Sequence, residues 1–270
     1  MENLELNDSL DGEDKSSIEG ETLFLRAYAY YHLTNLFRLE TRQLFGVEAT
    51  HKMIFSDKKI DPSISPFIKN RFDILFSASD YTLLLEKIAA EKIENEGFKA
   101  EYLVLHGDET NYQERLNKLR DIGMRIEGFP DYQDPTIIYS ICQSDGLWYF
   151  GILTKHDTSW ARHNNKPHSF SNSLGMDIAK SLVCIASKGD KTISLLDGCC
   201  GVGTVMLEAY VSGFRIEGCD INLNATQHAA QNLSHYGYSA TIHHSNINQL
   251  SKKYDAAIID LPYNLYSYSD

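Results

Sequence analysis

The chain has 270 residues, 43% of them hydrophobic, and a formal net charge of −12. This length predicts one or two domains, each with enough apolar residues to form a core. The acidic balance argues partly against nucleic-acid binding, because a module that binds nucleic acid usually has a basic face. No apolar run is long enough to span a membrane, and the five cysteines, with no C-x-x-C pair, fit a reducing compartment. We therefore expect a cytoplasmic protein that does not bind membranes.

The first segment, residues 1–21, is rich in Asp, Glu, Ser and Gly and holds almost no large apolar side chain. Such a composition is typical of a disordered tail. Residues 1 to 20 contain seven acids and one lysine, so half of the net negative charge lies there. The segment lacks the basic start and the apolar run of a signal peptide.

Residues 22–154 alternate between strand and helix patterns, which predicts an α+β domain with ferredoxin-like character. Gly46 is expected to end the first helix, and Ser144-Asp145-Gly146 to form a hairpin turn. The predicted elements, in chain order, are strand 22–31, helix 32–45, strand 72–77, helix 80–96, strand 99–106, helix 111–122, and the hairpin strands 136–142 and 147–154.

A connector follows at residues 155–191, with six Lys or Arg against three acids. It also carries the aromatic residues Trp160 and Phe170. A basic segment with aromatic side chains is suited to following a phosphate backbone. The alternative interpretation is a solvated linker.

Residues 192–270 begin with the apolar strand 192–196, which suits a parallel strand covered on both faces. Asp197 stands at its carboxyl end, and a turn with Gly201 and Gly203 leads into the helix 204–210. Glycines let the backbone bend tightly and approach a ligand. Met206 stands where the dinucleotide pattern G-x-G-x-x-G has its third glycine, which weakens a pyrophosphate interpretation.

Three more strands are predicted in this region: 214–219, 240–244 and 254–259. They lead to Asp220, to Asn246 and to Asp260, and a helix over 222–235 begins with Asn222 as its N-cap. Because the carboxyl ends of parallel strands meet at one edge of a sheet, these polar residues are expected to face one crevice.

Three segments resemble one family. Residues 197–204 (DGCCGVGT) resemble the D-x-x-C-G-x-G-T signature of class I S-adenosylmethionine-dependent methyltransferases, and Asp260-Leu261-Pro262-Tyr263 resembles the [D/N/S]-P-P-[Y/F/W] motif of amino methylases. Residues 166–186 look like the segment before the first strand in THUMP-associated RNA guanine-N2 methyltransferases, nearest to a bacterial branch of RNA methylases. The resemblance covers residues 150–270.

This resemblance implies a Rossmann-like α/β sheet over 192–270 that binds S-adenosylmethionine. Asp220 would bind the ribose, and Asn246 stands where the family usually has an Asp bonded to the adenine amine, so an acceptor oxygen remains without the charge. The histidines form no metal signature, and no metal site is predicted. The implied cofactor residues are Asp197, Cys200, Gly201, Gly203, Thr204, Asp220, Ile221 and Asn246.

The implied catalytic residues are Asp260, Leu261, Pro262 and Tyr263. Asp260 and the Leu261 carbonyl would each accept an N–H of an exocyclic base amine and so aim its lone pair at the methyl group. Pro262 would fix the backbone, and Tyr263 would stack on an unpaired or flipped base. Leu261 departs from the family pattern by replacing its first proline.

The implied reaction is methyl transfer to RNA, most plausibly to guanine N2 in tRNA. DNA adenine-N6 methylation is one alternative, and a truncated, non-catalytic module that binds RNA or a partner is another. The family carries an RNA-docking THUMP region where residues 22–154 lie, although an accessory domain that only stabilises the catalytic one is also consistent with the sequence. A complete class I sheet has seven strands, so with four predicted strands we expect an incomplete domain whose exposed edge favours self-association.

Overall fold

A computed structural model describes residues 23–27, 31–170 and 173–261. The first unit contains a six-stranded sheet in the order β2-β1-β3-β6-β5-β4, in which only β4 and β5 pair in parallel. Its elements are β1 (Leu23–Ala27), α1 (Thr34–Phe45), β2 (Met53–Ser56), β3 (Ile68–Ala78), α2 (Tyr81–Glu91), β4 (Phe98–Tyr102), α3 (Tyr112–Gly123), β5 (Ile137–Ser144) and β6 (Leu147–Lys155).

Local sequence signals set most boundaries of this unit. Gly46 ends α1 in the left-handed conformation at φ 80°, and the Asp80 and Asn111 side chains cap α2 and α3. Asp145 and Gly146, at φ 49° and 76°, form the predicted hairpin turn between β5 and β6. The expected tail at residues 1–21 lies outside the described residues.

The structure corrects several predictions for this unit, among them the strand over 99–106, which ends at Tyr102. The helix predicted over 80–96 ends at Glu91, because Lys92 turns left-handed and residues from Ile93 onward pair with the segment around Glu127. Strand β2 was missed, since its four residues carry no clear alternation. Strands β3 and β4 are joined by α2, and β5 and β6 lie between them in the sheet, which is a split βαβ arrangement. Strands β1 and β2 pair directly with each other and are antiparallel. The full ferredoxin-like strand order is therefore not observed.

The second unit is a parallel α/β sheet in the order β10-β7-β8-β9. The strands and helices predicted from residue 192 onward are present, with ends shifted by no more than about two residues, as expected for boundary assignment. The elements are α4 (Met176–Ser187), β7 (Ser194–Asp197), α5 (Thr204–Val211), β8 (Arg215–Asp220), α6 (Leu223–His235), β9 (Ile242–His244) and β10 (Ala256–Ile258).

One hydrophobic core joins the two units. Leu25, Leu44 and Ile68 from the first unit pack in the same cluster as Val183 on α4 and Leu195 on β7. The connector carries a 3-10 helix (Ser159–Asn165) and α4, and its second part is buried against both units. It is therefore not a solvated linker. Among the helices in the described residues, none combines the length and apolar character needed to cross a membrane.

Candidate functional site

The site lies at the carboxyl edge of the parallel sheet. Asp197 ends β7, Asp220 ends β8, and Asp260 comes two residues after β10. The Gly198 amide donates to the Ile258 carbonyl over 2.8 Å, which ties the ends of β7 and β10 together. The sequence prediction that the strand ends bring these carboxylates to one crevice is thus matched by the geometry.

The glycine turn is compact and closely packed. Gly201 and Gly203 have φ angles of 50° and 81°, a region that side chains rarely allow. A Cβ on Gly203 would lie 3.1 Å from the Cβ of Ala229 on α6. Gly203 also stands at the N-cap of α5, where no side chain bonds the first amides. The turn therefore brings backbone N–H groups to the crevice.

Asp220 organises this turn. One carboxylate oxygen accepts a hydrogen bond from the Gly201 amide, and the other accepts one from the Asn222 amide, each over 2.8 Å. A carboxylate has about four lone-pair positions, so acceptor capacity remains for a ligand hydroxyl. The sequence resemblance gave Asp220 only a ligand role, and its bond to the glycine turn was not foreseen.

Asp197 is the most perturbed group at the crevice. It is 2% exposed, and burial, followed by the negative charge of Asp220, raises its pKa to about 8. The Asp260 charge acts in the same direction, while a hydrogen bond from the Cys199 amide opposes it. Oδ2 of Asp197 and Oγ1 of the buried Thr204 have no hydrogen-bond partner among the described residues. Buried polar atoms of this kind indicate a ligand or bound water.

The remaining cofactor candidates have different environments. Cys200 is buried, and desolvation raises the pKa of its thiol, so it packs as a neutral side chain. Ile221 is 62% exposed next to Asp220. Asn246 is exposed beyond β9, where its side chain accepts a hydrogen bond from the Asn248 amide over 3.0 Å and caps a short 3-10 helix. That bond occupies one acceptor position of the Asn246 side chain.

Of the four catalytic candidates, two are described. Asp260 is half-buried and close enough for its charge to raise the pKa of Asp197. Leu261 is 67% exposed at the rim. Pro262 and Tyr263 lie outside the described residues. The crevice thus combines three carboxyl groups with an exposed aliphatic rim, and a cationic ligand with an apolar or planar part would favour the ionised form of Asp197.

Asn232 belongs to the site although sequence analysis gave it no role. It is fully buried on α6, and its Nδ2 donates to the carbonyls of Val202 and His168, each over 2.9 Å. Its Oδ1 accepts from the His168 amide over 2.9 Å. These bonds hold the connector segment around His168 against the glycine turn. The sequence signal that could have revealed this role was an amide side chain on the apolar stripe of α6.

No family model matches the sequence. A curated tRNA (guanine(10)-N2)-dimethyltransferase from Methanothermobacter thermautotrophicus is 28% identical over 119 residues, which are 42% of this chain and 34% of the relative. The match therefore spans about a third of that relative's length.

Two solved structures show a distant likeness. TrmN from Thermus thermophilus has a TM-score of 0.43 and 13% identity, covering 90% of this chain and 80% of that one. A Listeria monocytogenes protein described as a predicted N6-adenine-specific DNA methylase has a TM-score of 0.41 and 11% identity, covering 88% of this chain and 78% of its own. At these scores neither structure identifies a substrate for this chain.

The parallel sheet with its glycine turn and strand-end carboxylates defines an α/β protein with a ligand crevice of the nucleotide-binding type. The curated relative makes the class more specific. Its similarity to this chain agrees with the resemblance to S-adenosylmethionine-dependent methyltransferases of RNA that was drawn from the sequence.

Proposed function

We propose that the chain is an S-adenosylmethionine-dependent methyltransferase that acts on an exocyclic base amine of RNA, with guanine N2 in tRNA as its substrate. The observation that carries this proposal is the meeting of Asp197, Asp220 and Asp260 with the glycine turn at one sheet edge. The name of the curated relative, a tRNA guanine-N2 dimethyltransferase, supports the choice of RNA and of guanine.

The residues at the crevice fit this cofactor. S-adenosylmethionine carries an ammonium and a sulfonium, and the buried, unpaired oxygen of Asp197 is a suitable acceptor, because a cation beside it favours ionisation of a carboxyl whose pKa is otherwise raised to about 8. The turn at Gly201 and Gly203 leaves room for close approach. Asp220 retains acceptor capacity for the ribose, and the exposed Ile221 offers an apolar surface to adenine. When bound, the cofactor supplies an electrophilic methyl group on sulfur.

The reaction then depends on how the chain presents the amine. The lone pair of an exocyclic amine is delocalised into the base, so orientation must supply much of the rate. In this proposal Asp260 and the Leu261 carbonyl accept the two N–H groups and direct the lone pair into the crevice, a role supported by the partial exposure of Asp260 and the 67% exposure of Leu261. The Asp260 carboxylate is also the group that receives the proton which the methylated nitrogen loses.

The α+β unit at residues 22–154 is proposed to dock the RNA, as the THUMP region does in the family that the sequence resembles. This part of the proposal rests on position in the chain, which is an analogy at the level of fold. The shared core around Leu44 and Val183 supports it, because a unit packed firmly on the methyltransferase sheet can hold RNA at a fixed distance from the crevice.

Methyl transfer from tritiated S-adenosylmethionine to bulk tRNA tests the proposal, followed by digestion and identification of the labelled nucleoside. Asp260→Ala is expected to abolish labelling. The matched control is Asp255→Ala, because Asp255 lies just before the same strand, at the opposite sheet edge, and bonds Ser194. Labelled N2-methylguanosine that depends on Asp260 supports the proposal. No label on tRNA, or label on DNA adenine instead, contradicts it.

A further inference from the structure

Two segments of this acidic chain contain no carboxylate. Residues 158–170 and residues 222–238 hold neither Asp nor Glu, although the whole chain has a net charge of −12. The first segment carries Arg162, Lys166 and His168, and the second carries His228 and His235. With 37 acids in 270 residues, an even spread would place about four carboxylates in the 30 positions of these two segments together.

The fold places these two segments side by side. The Tyr236 hydroxyl donates to the Arg162 carbonyl over 2.9 Å, and the Arg162 guanidinium lies 5.7 Å from the centre of the Tyr236 ring. The rings of His168 and His228 stack in parallel, 4.1 Å apart and 6° from coplanar. We call the surface formed by Arg162, Lys166, His168, Phe170 and His228 the basic face.

The groups of the basic face are available to a ligand. Arg162 is exposed, Phe170 is 42% exposed, and Lys166 is half-buried. Neither imidazole of the stacked pair makes a hydrogen bond within the described part of the chain, and Nδ1 of His228 is buried without a partner. A buried nitrogen without a partner indicates that a ligand or water bonds it.

A carboxylate beneath this surface is already engaged. Glu208 interacts electrostatically with Lys166, but it is fully buried, and His163 Nδ1 bonds it over 2.8 Å. Lys180 lies 3.8 Å from its other oxygen. Glu208 is therefore not exposed to repel an anion at the basic face.

The basic face also borders the proposed cofactor crevice. Asn232 bonds both His168 in the connector and Val202 in the glycine turn. His228 precedes Ala229, against which Gly203 packs. A ligand that extends along the basic face therefore reaches the turn that begins α5.

We propose that the basic face binds the phosphate backbone of the RNA whose base enters the crevice, an inference that rests on the proposed function. Arginine, lysine and imidazole N–H groups are phosphate donors, and Phe170 provides a ring on which an unpaired base can stack. In a chain with a net charge of −12, a surface without carboxylates is one where a phosphate backbone meets little electrostatic repulsion.

The test is the affinity of the full chain for bulk tRNA, measured by filter binding over a range of salt concentrations. Each phosphate contact contributes about 0.7 to 0.9 to the slope of log affinity against log salt. The double variant Arg162→Gln/Lys166→Gln is expected to lower that slope by about 1 to 2 and to weaken binding at least about tenfold at 0.1 M salt. The conservative variant Arg162→Lys/Lys166→Arg should restore most of the binding.

The matched control is Lys191→Gln/Lys253→Gln. It removes the same charge from exposed lysines that precede β7 and β10, at the opposite edge of the same sheet. We expect it to change tRNA affinity less than about twofold. Equal losses in the two double variants, or unchanged binding in the Arg162/Lys166 variant, would overturn the proposal. A third variant, His228→Ala, should weaken tRNA binding about threefold to tenfold by removing the stacked ring.

Calorimetric titration of each variant with S-adenosylmethionine, without RNA, shows whether the crevice is intact. We expect cofactor affinity to be unchanged in the Arg162/Lys166 variant. The two proposals can fail separately. If the wild-type chain binds tRNA through the basic face but transfers no methyl group, the proposed function fails. If the wild-type chain methylates tRNA while the Arg162/Lys166 variant binds tRNA normally, the proposal that the basic face binds RNA is wrong.

Discussion

Replacing Asp197 with Asn is expected to stabilise the protein without cofactor and to abolish cofactor binding. Asp197 is buried beside Asp220 and Asp260, and its pKa rises to about 8. Asparagine has the shape of the protonated carboxyl, and its oxygen can still accept the Cys199 amide. The substitution therefore removes the free-energy cost of keeping this carboxyl protonated in the folded chain and leaves the packing nearly unchanged.

The size of the effect follows from the two pKa values. Asp197 titrates near 8 in the folded chain and near 3.8 when solvated. Between these values the folded state binds more protons than the unfolded state, so the stability of the wild type falls as pH rises. At about 1.4 kcal/mol per pKa unit, this costs the wild type about 4 kcal/mol at pH 7 and about 2 kcal/mol at pH 5.

The assay is urea unfolding of the wild type and Asp197→Asn at several pH values between 5 and 7, without cofactor. The advantage of the variant should grow by about 2 to 3 kcal/mol across this range. Asp255→Asn is the control, and we expect it to change the free energy of unfolding in the opposite direction. Hydrogen bonds from Ser194 lower the pKa of the exposed Asp255, so its replacement should cost stability at neutral pH and progressively less toward acid.

A stability difference between wild type and Asp197→Asn that stays constant with pH would refute this reasoning. It would mean that the Asp197 carboxylate is stabilised as an anion in the folded chain, by water or by a rearranged turn. Calorimetry completes the test, because the variant should lose affinity for S-adenosylmethionine even while it is more stable. A gain in stability together with a loss of ligand affinity is the usual result when an unfavourably buried binding group is replaced.

Two further predictions concern the glycine turn and the helix α5 that follows it. Gly203→Ala should cost more stability than Gly237→Ala in urea unfolding, because both glycines have φ near 80° but only at Gly203 would the Cβ meet Ala229, 3.1 Å away; equal costs would contradict the close packing. Glu208→Gln should lower the free energy of unfolding by about 3 to 5 kcal/mol in the same assay, since it removes the buried negative charge that lies 3.8 Å from the buried Lys180 ammonium; a loss below about 1 kcal/mol would contradict it.

The strand ends and the glycine turn could be predicted because they depend on local signals. Asp197 follows a continuous apolar run, and the glycines of the turn have positive φ. Asn222 caps α6 as expected from residue type alone. The edge position of the carboxylates then follows from parallel pairing, which the alternation of strand and helix predicts.

Other parts of the molecule depend on pairing between distant residues and could not be predicted this way. Lys180 and Glu208 are charged residues on helices, a pattern that normally indicates a solvated face, yet both are buried against each other. The bond from the Gly201 amide to Asp220 and the three bonds of Asn232 likewise join segments far apart in sequence. Periodicity cannot identify such partners.

The buried charges beneath the basic face fix the position of that surface relative to the crevice. Glu208 on α5 is bonded by His163 from the connector, and Lys180 on α4 donates to Ser212 at the end of α5. Burying charges costs desolvation energy, so such a cluster is a poor source of stability but an exacting constraint on geometry. Because α5 begins at the glycine turn, this constraint fixes the connector relative to the crevice. In the proposed function, RNA bound to the connector would lie at a fixed distance from the methyl donor, which is the positioning that a poorly nucleophilic amine requires.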